Sequence, residues 1–242
     1  YAQPITFKSL LNASNNINYN IKVLNYSICF ENDNNISPSF LINLPNLKRS
    51  TLSEYPKLKN NKQLPFIQDI FVNLLNESNE DYLIYTNIDI GIHKNFYNRI
   101  FEIIIENNFD CLIVNRKDIS KFDENNNRLD ENKLEYIYNL TGDDHPGIDC
   151  FIIKREILSK VDMKNVFIGY PPWGFVLYEL LKIYTDKIMI INNEFLTFHL
   201  GKDKKWDDVK NELYIQNLKN SEVIIKSNNL NINSAKEMDC IL

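Results

Sequence analysis

The chain has 242 residues, 44% hydrophobic and 12% aromatic, with a formal net charge of −5. That composition buries a core and excludes a disordered chain. The interspersed, mildly negative charge argues against a protein that grips nucleic acid by its phosphates, yet leaves room for a small anionic ligand at one local site.

No apolar stretch reaches the roughly 18–20 residues that cross a bilayer, and no signal peptide is recognisable. The cysteines Cys29, Cys111, Cys150 and Cys240 show no CxxC spacing. Three of them sit in apolar runs as small hydrophobes, so a reducing compartment, the cytoplasm, is expected. The chain opens on Tyr1 rather than Met, and a segment ahead of it is expected. The abundance of Asn, Lys and Ile follows AT-rich codons and carries no chemistry.

In chain order, Phe7 to Asn15 reads as a helix behind Pro4, with Thr6 as N-cap. Residues 20–30 (NIKVLNYSICF) read as a strand that ends at Glu31-Asn32-Asp33. Residues 34–62 are punctuated by Pro and polar groups and predict a long functional loop. Leu64 to Leu75 has helical spacing. Tyr82–Thr86 is a short apolar strand of the kind buried on both faces. A helix is expected over Phe96 to Asn107 and a strand over Cys111–Val114. Residues 118–146 predict a charged surface excursion.

Further strands are expected at Asp149–Ile153, Lys187–Ile191 and Phe195–His199, and helices at Pro172–Tyr184 and Trp206–Leu218. A polar tail, residues 220–242, follows. Strands alternating with helices predict an α/β fold: one Rossmann-like domain over residues 1–242 with a mostly parallel central sheet.

In such sheets ligands gather beyond the carboxyl ends of the strands. Asp89 lies there, after Leu83-Ile84-Tyr85 and Asn87-Ile88. A carboxylate in that place is solvated, paired or holding a cation, since burying it alone is costly; the plainer alternative is a turn or cap for the helix at Phe96. His93, His145 and His199 each stand beside an apolar strand or at its end. Asp89 and His199 both end strands and can converge. Carboxylate, imidazole and phosphate oxygens suit Mn²⁺ or Mg²⁺.

The apolar strand ending in a D-x-D-like triad, with a histidine about a hundred residues later, resembles the GT-A glycosyltransferases. The phrases YTNIDI, HPGIDCF and TFHLG also resemble a little-described branch of sugar transferases. The resemblance covers about residues 1–206. It implies a single GT-A-like domain whose first strand precedes Tyr1, and a metal-dependent transfer from a UDP- or GDP-linked sugar to a glycan or other hydroxyl acceptor.

Asp89 and His199 then hold the metal. Pro4, Glu31, Asp33, Lys62, Asn87 and Arg116 belong to the donor side; Arg116 pairing with a carboxylate is the alternative. His145 and Trp173 belong to the acceptor side, with core packing the alternative for Trp173. The base comes from Asp149, Asp144 or Asp143. Asp149 is preferred because it abuts a strand, with pairing to Arg116 or Arg155 as its alternative. Lys202, Lys204 and Lys205 form a basic turn able to fold over a diphosphate.

Two departures stand out. The triad begins with Asn87, and the late helix opens on Trp173-Gly174-Phe175 where inverting members often carry an acidic residue. Three rivals follow: a sugar nucleotidyltransferase, a non-catalytic nucleotide- or sugar-binding domain, and a metal-dependent hydrolase.

Overall fold

The computed structural model describes residues 3–59, 61–201 and 210–230. Helix α1 (Gln3–Asn15) opens the chain, with Thr6 buried inside it rather than capping it. Two short strands, β1 (Tyr26–Ser27) and β2 (Ile42–Asn43), pair in parallel as a separate sheet. The strand expected over residues 20–30 thus shrinks to two residues, and Glu31–Ile36 coils into a 3-10 turn. The rest of this region is loop apart from a short α2 (Thr51–Glu54).

Helix α3 (Ile67–Glu77) leads to β3 (Tyr82–Thr86), then β4 (Ile90–Ile92), α4 (Phe96–Asn107) and β5 (Cys111–Ile119). A short α5 (Leu134–Ile137) precedes β6 (Asp143–Lys154), α6 (Arg155–Leu158) and α7 (Trp173–Tyr184). The chain continues through β7 (Ile188–Ile191), β8 (Thr197–Leu200) and α8 (Glu212–Ser227). Of the helix expected over Trp206–Leu218, the described part belongs to α8, which is capped by the Asn211 side chain and runs into the stretch read as a tail. Residues 202–209, with the three lysines, and 231–242 lie outside the described residues.

The central sheet has six strands in the order β3-β6-β5-β8-β4, with β7 also on β5. It is mixed, which corrects the mostly parallel expectation. Strand β6 runs antiparallel to β3 and β5, and β4 antiparallel to β8, while β7 and β8 run parallel to β5. Strand direction leaves no mark on side-chain alternation, so apolar runs alone do not reveal it.

Both faces are covered. On one, Phe71, Leu74, Trp173, Leu177 and Leu181 pack over Leu83, Ile113, Phe151 and Ile153. On the other, Phe96, Ile100 and Ile103 of α4 and Ala13 of α1 pack over Leu112, Val114 and Ile152. Helix α4 carries these residues at helical spacing and stops where Asn108 turns left-handed at φ 52°.

The sheet is irregular at one decisive place. Val114 pairs with Cys150, Asn115 with Ile148 and Lys117 with Asp144, so β6 spends extra residues against β5 on both sides of Asn115. Such a bulge re-aims side chains. It is here that Arg116, Asp149 and His145 turn toward one another.

Candidate functional site

Two strand ends and this bulge gather one polar cluster. Arg116 on β5 is its hub. Its Nη1 donates to Asp149 Oδ2 at 2.5 Å, and its Nε donates to Asp118 Oδ1 at 3.1 Å. Asp118 Oδ2 lies 3.1 Å from His145 Nδ1. Asn87 donates to the other Asp149 oxygen at 3.1 Å and accepts from the Tyr85 hydroxyl at 2.6 Å. Arg116, Asp118 and Asp149 are all buried, so the charges persist only because they neutralise one another.

The outer rim carries Asp89 and His199. Strands β4 and β8 bring them together, pairing Ile90 with His199 and Gly91 with Phe198. A Cβ on Gly91 would meet the Phe198 ring at 2.3 Å, so the close approach of these strands requires glycine. His199 Nε2 stands 3.6 Å from Asp89 Oδ2, and its Nδ1 contacts the Gly201 carbonyl oxygen at 2.9 Å. The Gly201 carbonyl thereby occupies Nδ1–H and turns Nε2 toward Asp89, to which it donates when protonated and beside which it offers a lone pair once deprotonated. That is how a metal-binding histidine is usually held.

Burial works against a charge on His199, but hydrogen bonds to Asp118 and Asp89 outweigh it and raise its pKa to about 9. Burial also opposes the charges on Asp89 and Asp118; the His199 hydrogen bond, and Arg116 close by, nevertheless hold both below the usual carboxylate value. Asp149 goes the other way, because its burial outruns the Arg116 charge.

The expected cation finds two protein donors rather than a cage. Among the described residues no group of three or more His, Cys, Asp or Glu side chains is arranged to hold a metal ion. The pair still fits Mn²⁺ or Mg²⁺, since Asp89 is half-exposed and such cations commonly complete their shell with substrate phosphates and water.

The other expected site residues fare unevenly. Asp149 and His145 join the cluster, and so do Asn87 and Arg116, which both hydrogen-bond Asp149. The Arg116 guanidinium contacts Asp118, Asp149 and His145, the carboxylate pairing that the sequence offered as its alternative. Asp144 is exposed and ion-paired with Lys117. Trp173 is only 7% exposed and packs edge-on against Tyr85 at 5.5 Å and beside Phe151 at 5.7 Å. It is core under the site, a correction to the acceptor-stacking role.

Glu31, Asp33 and Lys62 are exposed, and among the described residues no hydrogen bond or ion pair ties them to the cluster. Pro4 opens α1 and lines a separate, largely apolar cleft of about 510 Å³ with Phe7, Leu11, Pro38 and Phe40. His93 stands apart, against Tyr138 and Phe195.

The residue missed from sequence is Asp118. The signal was present: Arg116 and Asp118 alternate with Asn115 and Lys117, continuing the apolar run Cys111–Val114 at strand period.

No protein-family model matches the chain, and no curated protein matches it. Among solved structures, S. aureus TarS 1–349 in complex with UDP-GlcNAc aligns with a TM-score of 0.50 and 13% identity, covering 93% of this chain and 64% of that one. The chain thus spans just under two thirds of the length of that neighbour. GalNAc-T7 with UDP, GalNAc and Mn²⁺ aligns at TM-score 0.42 and 15% identity, covering 77% of this chain and 42% of that one. The chain has a GT-A-like fold, the fold of nucleotide-sugar transferases.

Proposed function

We propose that this chain is a metal-dependent glycosyltransferase that takes a sugar from a UDP-linked donor and gives it to an acceptor hydroxyl. One observation carries the reading: on a GT-A-like sheet, Asp89 and His199 converge at 3.6 Å on the outer rim, with His199 oriented by the Gly201 carbonyl. The UDP-GlcNAc complex of TarS supports the choice of UDP.

A nucleoside diphosphate leaves with negative charge, and a divalent cation bound at Asp89 and His199 would supply Lewis-acid neutralisation of that charge. The protein's own share is positional. Asp89 and His199 fix where the diphosphate lies. The Arg116 network beneath them keeps the rim from rearranging as charge develops. The packed floor of Tyr85, Trp173 and Phe151 excludes water from below.

Calorimetric titration with UDP, with and without Mn²⁺, tests this. Binding is expected only with the metal and is abolished by Asp89→Ala. It also tightens as pH rises from 6 to 9, by up to about tenfold per unit, because His199 must shed its proton to become a ligand. UDP binding that ignores both Mn²⁺ and Asp89 would sink the proposal. Metal-dependent UDP binding with no turnover of any UDP-sugar would favour the non-catalytic rival instead. That rival draws on one feature of the structure, the absence of an acidic side chain in the first turn of α7.

A further inference from the structure

The turn that carries Asp89 is short, and both of its ends are fixed. Strand β3 stops at Thr86, the chain turns through Asn87-Ile88-Asp89, and β4 starts at Ile90. The Ile90 amide closes the turn on the Asn87 carbonyl at 3.1 Å. Ile88 is 52% exposed, so packing of its side chain does not anchor the loop. The far end is held by the ladder, where Ile90 pairs with His199. The near end is held by a side chain.

Asn87 Oδ1 accepts from the Tyr85 hydroxyl at 2.6 Å, and its Nδ2 donates to Asp149 Oδ1 at 3.1 Å. The neighbours dictate which way the amide points. A carboxylate paired with Arg116 accepts hydrogen bonds and has none to give, so the amide nitrogen faces Asp149. The carbonyl end then needs a donor, and the Tyr85 hydroxyl is one. Asparagine and aspartate share a shape, but only the amide accepts at one end and donates at the other.

Both partners are themselves held. Asp149 Oδ2 accepts from Arg116 at 2.5 Å, and the Tyr85 ring packs edge-on against Phe71 at 6.0 Å and Trp173 at 5.5 Å. The first residue of the turn is therefore tied to two fixed points of the sheet floor. This accounts for the departure from D-x-D. Aspartate at position 87 would put an oxygen where the amide nitrogen stands, 3.1 Å from Asp149 Oδ1. Two carboxylates at that distance repel each other, and the turn would be driven off the sheet.

We infer that Asn87 is the positioning residue for the metal carboxylate, and that asparagine at 87 and aspartate at 149 are a matched pair. The inference rests on the transferase reading and deepens its metal site. Asn87 acts on the cation through Asp89. The tie to Tyr85 and Asp149 sets one end of the turn, the β4–β8 ladder sets the other, and Asp89 is held between them beside His199.

The test exchanges the pair. Asn87→Asp, Asp149→Asn, the double exchange and Tyr85→Phe are compared with the wild type in two ways: denaturant unfolding without metal, and calorimetric titration of UDP over a series of Mn²⁺ concentrations. Asn87→Asp restores the acidic first position of the motif, yet is expected to raise the Mn²⁺ needed for half-maximal UDP binding about tenfold or more. Asp149→Asn is expected to do the same, because the new amide nitrogen meets a donor at either Asn87 or Arg116. In the double exchange every donor again meets an acceptor. The carboxylate at 87 accepts from Tyr85 and from the amide at 149, whose carbonyl accepts from Arg116. Its Mn²⁺ requirement is expected to return to within about threefold of wild type, a coupling that independent sites do not show. Tyr85→Phe keeps the ring and is expected to raise the requirement about threefold. Saturating Mn²⁺ restores UDP affinity in every case, with the number of sites per chain unchanged, which a mere loss of folded protein would not allow.

Wild-type or tighter Mn²⁺-dependent binding in Asn87→Asp overturns the inference. So does a loss of stability with unchanged Mn²⁺ requirement, and so does a double exchange that binds or folds no better than the worse single variant. If Asn87→Asp does not fold while the double exchange folds and binds, the matched pair stands. If the wild type does not bind UDP with Mn²⁺, the failure lies with the transferase reading itself, and the inference falls with it.

Discussion

Two arginines in this molecule each grip carboxylates, and they do so in opposite settings. Arg116 stands in the middle of the sheet, buried with Asp118 and Asp149 at side-chain exposures of 9%, 10% and 12%. Arg49 stands in the loop region before α3, where it holds Asp69 bidentately at 2.9 and 3.1 Å and lies over the Phe66 ring, but at 38% exposure. The geometry of the Arg49 pair is at least as regular. The difference is what the surroundings would do if the arginine were lost. Water would take its place beside Asp69, and nothing would take its place between Asp118 and Asp149. The sheet half of the molecule is therefore a floor whose polar groups depend on one another, while the loop region tolerates change group by group.

The largest effect that would break this comparison is on stability. Arg116→Met leaves two buried carboxylates without their cation and is expected to cost about 3–5 kcal/mol in denaturant unfolding. Arg49→Ala, a partly exposed pair, is expected to cost about 1 kcal/mol or less. Equal losses would mean that Arg116 is hydrated far more than its burial suggests.

The same contrast explains what could be read from sequence. Strand β3 and helix α4 were legible to the residue, because Tyr82–Thr86 and Phe96–Asn107 declare themselves by apolar period alone. Asp89 and His199 were legible as strand-end groups. Asp118 was not, because β5 passes from the apolar Cys111–Val114 into Asn115-Arg116-Lys117-Asp118, and buried ion pairs imitate a surface excursion in any hydropathy pattern. Residues 20–30 misled in the reverse sense. Val23 and Ile28 do pack against the core, so the segment looks like a strand, yet only Tyr26–Ser27 finds a ladder partner. Arg116 meeting Asp149 was among the readings of the sequence, but the bulge that causes it depends on the register of β5 against β6, which no single strand encodes.

A smaller, more local effect sharpens the comparison at the rim. In Gly91→Ala the new methyl would collide with Phe198, whose ring is stacked 5.9 Å from Phe195 and is not free to swing aside. A cost of about 1–3 kcal/mol is expected from overpacking. The more telling readout is Mn²⁺-dependent UDP binding. Separating β4 from β8 moves Asp89 away from His199, so metal-dependent binding should weaken more than the stability loss explains. Full retention of that binding would show that the β4–β8 register does not set the metal pair.

The smallest expected effects lie in the loop region, at Glu31 and Asp33. Both are exposed and neither is bonded to the cluster, so Glu31→Gln and Asp33→Asn should each shift stability by no more than about 0.5 kcal/mol. Their value is that stability and binding come apart here. On the proposed reading the sheet rim holds the diphosphate through Asp89 and His199, and Glu31 and Asp33 in the loop region are the candidates for the base or ribose. If Glu31 and Asp33 do that work, their substitution weakens UDP binding several-fold while leaving Mn²⁺ dependence and unfolding untouched. Unchanged UDP affinity in the double substitution would remove the 3-10 turn from the donor side and turn attention to the apolar cleft between α1 and Phe40. Weakened binding with unfolding unchanged would divide the work of the proposed reading, the sheet rim holding the diphosphate and the loop region choosing the nucleoside.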